Sequence, residues 1–203
     1  QCGNGARCFA HFVRSHGLSD KTTINVGTAK GSIQLQVLAD GQVMVNMGIP
    51  QFAPPDIPFI AQHRAATYEL EIAPQTATIS ALSLGNPHAV LLVDEVDNAA
   101  LTTIGPQIEN HPRFPARVNV GFMAVRDRQQ IDLRVYERGS GETLACGSGA
   151  CAAVVIGFMQ KKLGKQVTVE LPGGKLRIYW RGPGHTVKMS GPATHVYDGQ
   201  ISI

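Results

Sequence analysis

The sequence predicts an α+β protein of two similar halves, each a mixed, mostly antiparallel sheet around a central helix. Predicted strands outnumber helices in the 203 residues, and hairpins outnumber strand-helix-strand units. The motif Cys-Gly-x-Gly-Ala occurs twice, beginning at Cys2 and at Cys146, and a pattern typical of a helix with one buried face follows each copy. A duplicated motif ahead of a duplicated helix indicates paired half-sites that face one ligand.

The first half is predicted to contain one helix and three strands. The helix spans about residues 4–16 with one buried face, and Gly17 suits the position just after its end. A strand follows, and then a hairpin turns at Asp40-Gly41. These strands are predicted at residues 22–28, 32–38 and 42–47. Prolines at positions 50, 54, 55 and 58 then break the chain, so we place a domain boundary between residues 48 and 49.

The second half is predicted to hold two helices among many strands. The strands are predicted at residues 68–72, 76–84, 89–93, 117–125, 130–137, 167–171 and 176–180. One helix spans about residues 98–109 after a capping Asp97, and the other spans about residues 147–163 behind the second cysteine motif. The C-terminus, residues 193–203, also has the pattern of a strand.

Composition and charge exclude several classes of function. The net charge is +3 with the basic residues scattered, which argues against a nucleic-acid partner. No apolar run is long enough to cross a membrane, and no signal-peptide pattern is present. The four cysteines lack metal-knuckle spacing, so we expect no metal site and a reducing, cytoplasmic location. Because no strand precedes the first motif and the chain does not begin with Met, we expect that an N-terminal segment is missing.

The two motif cysteines are the candidate reactive groups. Cys2 and Cys146 each precede a helix in a glycine loop, where backbone amides and the helix dipole favour negative charge and should lower a thiol pKa. Glycine beside each cysteine lets a ligand approach the backbone. Cys8 and Cys151 lie inside the predicted helices, so we expect them to be buried and structural.

Three further groups carry polar side chains that suit binding or proton transfer. Asn86 and His88 lie in a Gly-Asn-Pro-His turn, and Glu137 and Arg138 end a strand ahead of the second motif. A carboxylate near a thiol can take its proton or tune its pKa, and an arginine can hold a substrate carboxylate. The plainer interpretation of the Gly-Asn-Pro-His segment is a tight turn with a surface histidine, and that of Glu137-Arg138 is a surface ion pair. Asn119 alone is unremarkable.

A dinucleotide-binding site is a weaker alternative. Gly147-x-Gly149-x-x-Ala152 follows a strand, opens a helix and precedes Glu170 on a later strand, which superficially meets that fingerprint. The fingerprint explains neither the cysteines nor the earlier copy, and the flanking hairpins do not suit a doubly wound parallel sheet.

Six motifs together resemble the diaminopimelate epimerase family, in that family's order. They are Cys-Gly-Asn-Gly-Ala-Arg-Cys, Gly-Asn-Pro-His, Arg-x-Asn-x-Gly-Phe, Tyr-Glu-Arg-Gly, Ala-Cys-Gly-Ser-Gly-Ala-Cys-Ala-Ala and Leu-Pro-Gly-Gly. The resemblance implies two α/β halves with the active site in the cleft between them, and residues 191–203 returning to the N-terminal half, so that residues 49–190 form the C-terminal half. It also implies a small amino-acid substrate, no cofactor and a homodimer.

The resemblance also implies the roles of the site residues. Cys2 and Cys146 would be the two acid/base thiols, with His88 and Glu137 assisting them. The remaining residues would bind the substrate: Gly3, Asn4, Asn86, Asn119, Glu137, Arg138, Gly147 and Ser148. The reaction implied is inversion of the α-carbon of LL-diaminopimelate to the meso form, in lysine and cell-wall precursor biosynthesis.

Two other readings of the sequence stay open. One is a related cofactor-independent isomerase or racemase of another small acid. The other is an inactive, truncated copy that acts only as a binding module, because the family has a substantial segment before its first cysteine motif. For a chain that starts at Gln1, we expect a stable second half, a loose first half and no activity.

Overall fold

A computed structural model describes residues 3–28, 31–96 and 98–201, and there it contains three α-helices and twelve strands. The helices are α1 (Gly3–Ser15), α2 (Asn98–Glu109) and α3 (Gly147–Met159). The first six strands are β1 (Thr23–Thr28), β2 (Gly31–Val37), β3 (Val43–Asn46), β4 (Tyr68–Ile72), β5 (Gln75–Ser83) and β6 (Pro87–Val93). The other six are β7 (Asn119–Asp127), β8 (Gln130–Glu137), β9 (Gly141–Thr143), β10 (Gln166–Leu171), β11 (Gly174–Tyr179) and β12 (Lys188–Gly191).

The strands pair into one mixed, mostly antiparallel sheet. Their order is β1-β2-β3-β12-β11-β10-β8-β7-β6-β5-β4, and β9 pairs with β8. Two pairs are parallel, β6 with β7 and β8 with β10, and in each the chain crosses over through a helix, α2 in the first and α3 in the second. Parallel neighbours need such crossovers, whereas short turns join the hairpins.

The strand β12 joins the two halves of the sheet. Its Met189 pairs with Val45 of β3 on one side and with Ile178 of β11 on the other. Helix α1 packs on β2 and β3, and α3 packs on strands of the other half. The prediction of an α+β fold with two similar halves is confirmed. The domain boundaries at 48/49 and 190/191 stay predictions, and the second of them falls inside β12.

The helix α3 is the centre of the larger apolar core. Its residues from Gly147 to Gly157 are all buried, so the prediction that it has only one buried face is wrong. Strands from both halves of the sheet contribute side chains to the cluster around it, among them Leu35, Leu133 and Ile178. A second cluster lies between α2 and strands β4 to β7. A helix that is apolar all round is stable in water only when it is enclosed, as α3 is.

Three details differ from the sequence-based expectations. The second motif's helix ends at Met159 and not at residue 163. The strands β9 and β12, of three and four residues, were not predicted; β3 has four residues as well, but the Asp40-Gly41 turn before it marked it as the second strand of a hairpin. The predicted C-terminal strand is wrong over residues 193–201, which form no regular structure: side chains such as Val196 and Tyr197 are exposed, so the alternating pattern buries nothing. Residues 202 and 203 lie outside the described residues.

Candidate active site

Cys146 lies at the N-terminal cap of α3 and is buried. Its backbone is extended (φ −118°, ψ 105°), and its carbonyl accepts the amide of Ala150 at 2.9 Å. The thiol Sγ lies 3.8 Å from the Ser148 hydroxyl oxygen. The glycine loop thus places this sulfur at the positive end of the helix, as the sequence predicted for the second motif. Cys2 lies outside the described residues.

Burial first, and then the negative charge of Glu137, together raise the pKa of the Cys146 thiol to about 12. The Gly149 amide and the Ser148 hydroxyl act in the opposite direction. The expectation of a lowered thiol pKa at Cys146 is therefore wrong, because desolvation of the charged form outweighs the helix terminus. In this state the thiol is protonated at neutral pH.

The two glycine loops meet directly. The Asn4 side chain, in the first turn of α1, donates from Nδ2 to the carbonyl of Ala145 at 3.0 Å, immediately before Cys146. The Asn4 Oδ1 is buried and has no hydrogen-bond partner among the described residues. A methyl group added at Gly147 would lie 3.4 Å from this oxygen. The N-terminal turns of α1 and α3, with Gly3 and Gly147, thus converge on one place.

The Gly-Asn-Pro-His turn reaches the second loop. Asn86 donates from Nδ2 to the Ser148 hydroxyl at 3.2 Å, and its Oδ1 lies 3.2 Å from His88 Nε2, which donates. Burial first, and then the charge of Arg138, together lower the pKa of His88 to about 3. The imidazole is therefore neutral at pH 7. The plainer reading, a surface histidine, is wrong because His88 is buried.

Asn119 links three strands of the site. It donates from Nδ2 to the carbonyl of Pro87 at 3.0 Å, and its Oδ1 accepts the amide of Arg138 at 3.0 Å. The side chain keeps one N–H and one lone pair for a ligand. Arg138 Nη1 donates to the carbonyl of Ala116 at 3.0 Å, so its guanidinium is tied to the β7 side of the site.

Glu137 lies at the end of β8, next to the thiol. The Thr143 hydroxyl donates to Glu137 Oε1 across the β8–β9 pair. This hydrogen bond fixes one carboxylate oxygen, and the charge of the carboxylate raises the pKa of the Cys146 thiol. The structure therefore brings Glu137, Cys146 and Ser148 together, and through Asn86 also His88.

Sequence reasoning missed a buried acid behind Arg138. Glu109, at the end of α2, accepts the amide of Gly139 at 2.7 Å on Oε1 and contacts Arg117 Nη1 at 3.4 Å. It holds the turn that follows Arg138 and so helps to orient that residue. The sequence carries no motif for this contact, because α2 and the turn are about 30 residues apart.

The remaining cysteines differ from each other. Cys151 is buried inside α3 as expected, and burial raises its thiol pKa above the usual range. The expectation that Cys8 is buried is wrong, because its side chain is exposed on α1. Among the described residues, no group of three or more His, Cys, Asp or Glu is placed to bind a metal ion. Within the same residues, no helix has the length and hydropathy to cross a bilayer.

Solved structures of known proteins share this fold. The chain is similar to a probable proline racemase from Agrobacterium radiobacter K84, with a TM-score of 0.72 at 14% identity over 100% of this chain and 68% of that one. It is also similar to a hydroxyproline epimerase from Agrobacterium vitis, with a TM-score of 0.68 at 13% identity over 94% and 64% of the two chains. The fold is therefore the one found in these racemases and epimerases.

Sequence comparison identifies the family within that fold. The model of the family described as diaminopimelate epimerase matches residues 1–53 and 80–196. The chain is 55% identical over all 203 residues to the diaminopimelate epimerase of Pseudomonas syringae pv. tomato, and it covers 74% of that protein. The chain is an amino-acid epimerase. It belongs to the diaminopimelate epimerase family, and the resemblance drawn from the six motifs is confirmed.

Proposed function

We propose that this protein inverts the α-carbon of LL-diaminopimelate to the meso form with the thiols of Cys2 and Cys146, in lysine and cell-wall precursor biosynthesis. One observation carries the proposal: the N-terminal turns of α1 and α3 converge, joined by the hydrogen bond from Asn4 to Ala145. Two helix N-termini that point at one place favour a bound carboxylate. The family name and the duplicated motif supply the substrate and the two thiols.

Inversion requires two groups on opposite faces of the carbon. One thiolate removes the α-proton, and the C–H electron pair remains on the substrate, spread onto its carboxylate. The opposite thiol gives its proton to the other face, so one S–H bond forms as the other breaks. Cys146 is protonated in this state, so it is set to act as the acid, and the reverse reaction starts with its thiolate.

The loops supply the electrostatic stabilisation. The amides of Gly3, Asn4, Gly147 and Ser148 would bind the reacting carboxylate, and one preorganised donor of this kind contributes about 3–4 kcal/mol. The Asn4 Oδ1, buried without a partner among the described residues, suits the substrate ammonium. Asn86, Asn119 and Arg138 would hold the rest of the substrate. His88, neutral at pH 7, would orient Asn86, and Glu137 would exchange protons with or tune Cys146.

Membership of the family also supports a proposal about the setting of the enzyme. It would be cytoplasmic and homodimeric, and would work without a cofactor, a metal, a nucleic-acid partner or a membrane. Size-exclusion chromatography with light scattering tests the dimer. A monomer mass at working concentration would remove that part of the proposal.

Solvent-deuterium exchange tests the reaction. The protein, expressed from its native reading frame, is incubated in D₂O with LL-diaminopimelate and separately with proline. We expect deuterium at the α-carbon of diaminopimelate together with the meso product, and none in proline. Exchange in proline alone would overturn the substrate assignment in favour of another small amino acid.

Two cysteine variants test the role of the thiol. Cys146→Ala should abolish epimerisation, because it removes the acid/base group at the cap of α3. Cys151→Ala is the matched control: this thiol is also buried, but it lies inside the helix, so activity should be largely retained. Equal loss of activity in two well-folded variants would overturn the assignment of Cys146.

A further inference from the structure

Met189 lies between the N-terminal turns of α1 and α3. Its side chain is fully buried and projects from β12, the strand that joins the two halves of the sheet. A methyl group added at Gly3 would lie 2.4 Å from Met189 Cε, and one added at Gly147 would lie 3.0 Å from Met189 Sδ. Both loops therefore lie against the same thioether: a Cβ atom at Gly3 would require the Met189 methyl group to shift, and one at Gly147 would be in tight contact with its sulfur.

Arg7 holds this thioether from the α1 side. Its Nη1 lies 3.8 Å from Met189 Sδ and donates to the carbonyl of Gly3 at 3.4 Å. Its Nε donates to the carbonyl of Pro192, just beyond β12, at 3.1 Å. The buried guanidinium of Arg7 thus connects the first turn of α1 with the side chain of Met189 and with the residue just after β12.

We propose that Met189, oriented by Arg7, is a spacer that sets the separation between the Gly3 and Gly147 loops and is a positioning residue for proton transfer. This inference rests on the proposed function, in which both loops act on one substrate carbon. Methionine is flexible on its own, but here the Arg7 contact and the closed core restrain its rotamer, and that rotamer sets how near the two turns come. A displacement of about 1 Å at a reacting centre can cost about 10²-fold in rate.

Steady-state kinetics provide the first test. Met189→Ala should lower kcat by about 10²-fold, with KM changed by much less, because misplacement affects the transition state more than ground-state binding. Met189→Leu, of similar volume, should retain most of the activity. Met123→Ala is the matched control: Met123 is also fully buried, but it lies on β7. Equal kcat in the two alanine variants would overturn the proposal.

A double-mutant cycle provides the second test. Gly3→Ala should lose activity because its new methyl group displaces Met189, and the Gly3→Ala/Met189→Ala variant relieves that overlap. We expect kcat of the double variant to be about tenfold or more above the value obtained by multiplying the two single-variant effects. The free-energy effects of substitutions at two contacting residues do not add independently. Strictly multiplicative losses would overturn the spacer. If Met189→Ala fails to fold, Met189→Val replaces it in the same double-mutant cycle.

A distance measurement separates this inference from the proposed function. Crystal structures of the protein and its variants give the Gly3–Gly147 Cα separation without any assay. We expect this separation to change by about 0.5 Å or more in Met189→Ala and not at all in Met189→Leu. A displacement of about 0.5 Å is the limit within which a site keeps its productive geometry. If the unmodified protein exchanges no deuterium into diaminopimelate, the proposed function fails. An unchanged separation in Met189→Ala overturns the spacer in either case.

Discussion

The chemistry of Cys146 depends on two opposing influences at one sulfur. Burial and the charge of Glu137 raise its thiol pKa, and the helix terminus, through the Gly149 amide, lowers it. The sequence showed that Cys146 precedes a helix, but it did not show how completely the thiol is buried, because that burial depends on strands that are distant along the chain. For the same reason the sequence predicted the position of the thiol correctly and the direction of its pKa shift wrongly.

Glu137→Gln should make Cys146 react faster with iodoacetamide at pH 8. Removing the carboxylate charge lowers the Cys146 pKa, so a larger fraction of the thiol is ionised and alkylation accelerates several-fold. Peptide mapping by mass spectrometry separates the cysteines, and the exposed Cys8 is the internal reference. An unchanged or slower rate at Cys146, with Cys8 unchanged, would contradict this role of Glu137.

His88 should make the protein less stable in mild acid. Its folded pKa is lowered to about 3 from 6.5, so between these values the unfolded chain binds a proton that the folded chain excludes. Stability from this group is therefore complete above pH 6.5 and is lost as the pH falls towards 3. From pH 7 to pH 5 the loss should be about 2 kcal/mol.

Urea unfolding of the protein and of His88→Gln at both pH values measures this loss. The variant has no titrating group at position 88, so its stability should fall by about 2 kcal/mol less over the same interval. Equal pH dependence in the two proteins would show that His88 takes up its proton equally in the folded and unfolded states, which contradicts the lowered pKa.

Local patterns predicted most elements of the sheet, because hairpins depend on short-range signals. The turns at Asp40-Gly41 and at Pro172-Gly173 lie between strands that the structure pairs antiparallel, β2 with β3 and β10 with β11. The strands β9 and β12 are too short for a periodicity to show, whereas the equally short β3 was predicted from the hairpin turn before it. Enclosure of α3 on all sides did leave a local signal, because residues 147–159 are small or apolar on every face; the prediction of a single buried face misread it.

Gly157→Ala should destabilise α3 although alanine is the better helix former. A methyl group there would lie 2.3 Å from Leu163 Cδ1 and 2.7 Å from its Cγ, inside a closed core. Overpacking of this kind costs about 1–3 kcal/mol, against about 1 kcal/mol gained in helix propensity. Thermal and urea unfolding measure the net loss. Gly27→Ala is the control, because a methyl group at Gly27 meets nothing within 4 Å; a stabilised Gly157→Ala would contradict the close packing.

At the scale of the whole molecule, the site is assembled from parts that only the fold brings together. The motifs identified Asn4, Asn86, Glu137 and Cys146, because each stands in a recognisable glycine or strand-end pattern. Arg7 lies inside the first cysteine motif, but the motif gave it no role, and Glu109 and Met189 lie in no motif. Their contacts reach Pro192, Gly139 and both glycine loops, so only the three-dimensional arrangement reveals them.

The two halves should differ in their resistance to opening. In α3 the residues from Gly147 to Gly157 are buried, so its amides become accessible only when the main core unfolds. In α1 the buried residues are Gly3, Arg7 and Ala10, while Phe9 and Phe12 are 44% and 51% exposed. A helix of 13 residues is marginal without packing, so α1 can open at a smaller free-energy cost than α3.

Hydrogen exchange with mass spectrometry on the 203-residue chain measures this difference. Amides in α1 should exchange about tenfold or more faster than those in α3, because their opening does not require the core to unfold. The strand β7, inside the sheet and with its first six residues buried, supplies the reference rate for global unfolding. We expect α3 to exchange at that reference rate. Equally slow exchange in residues 4–16 and 147–163 would show instead that both helices open only with the whole molecule.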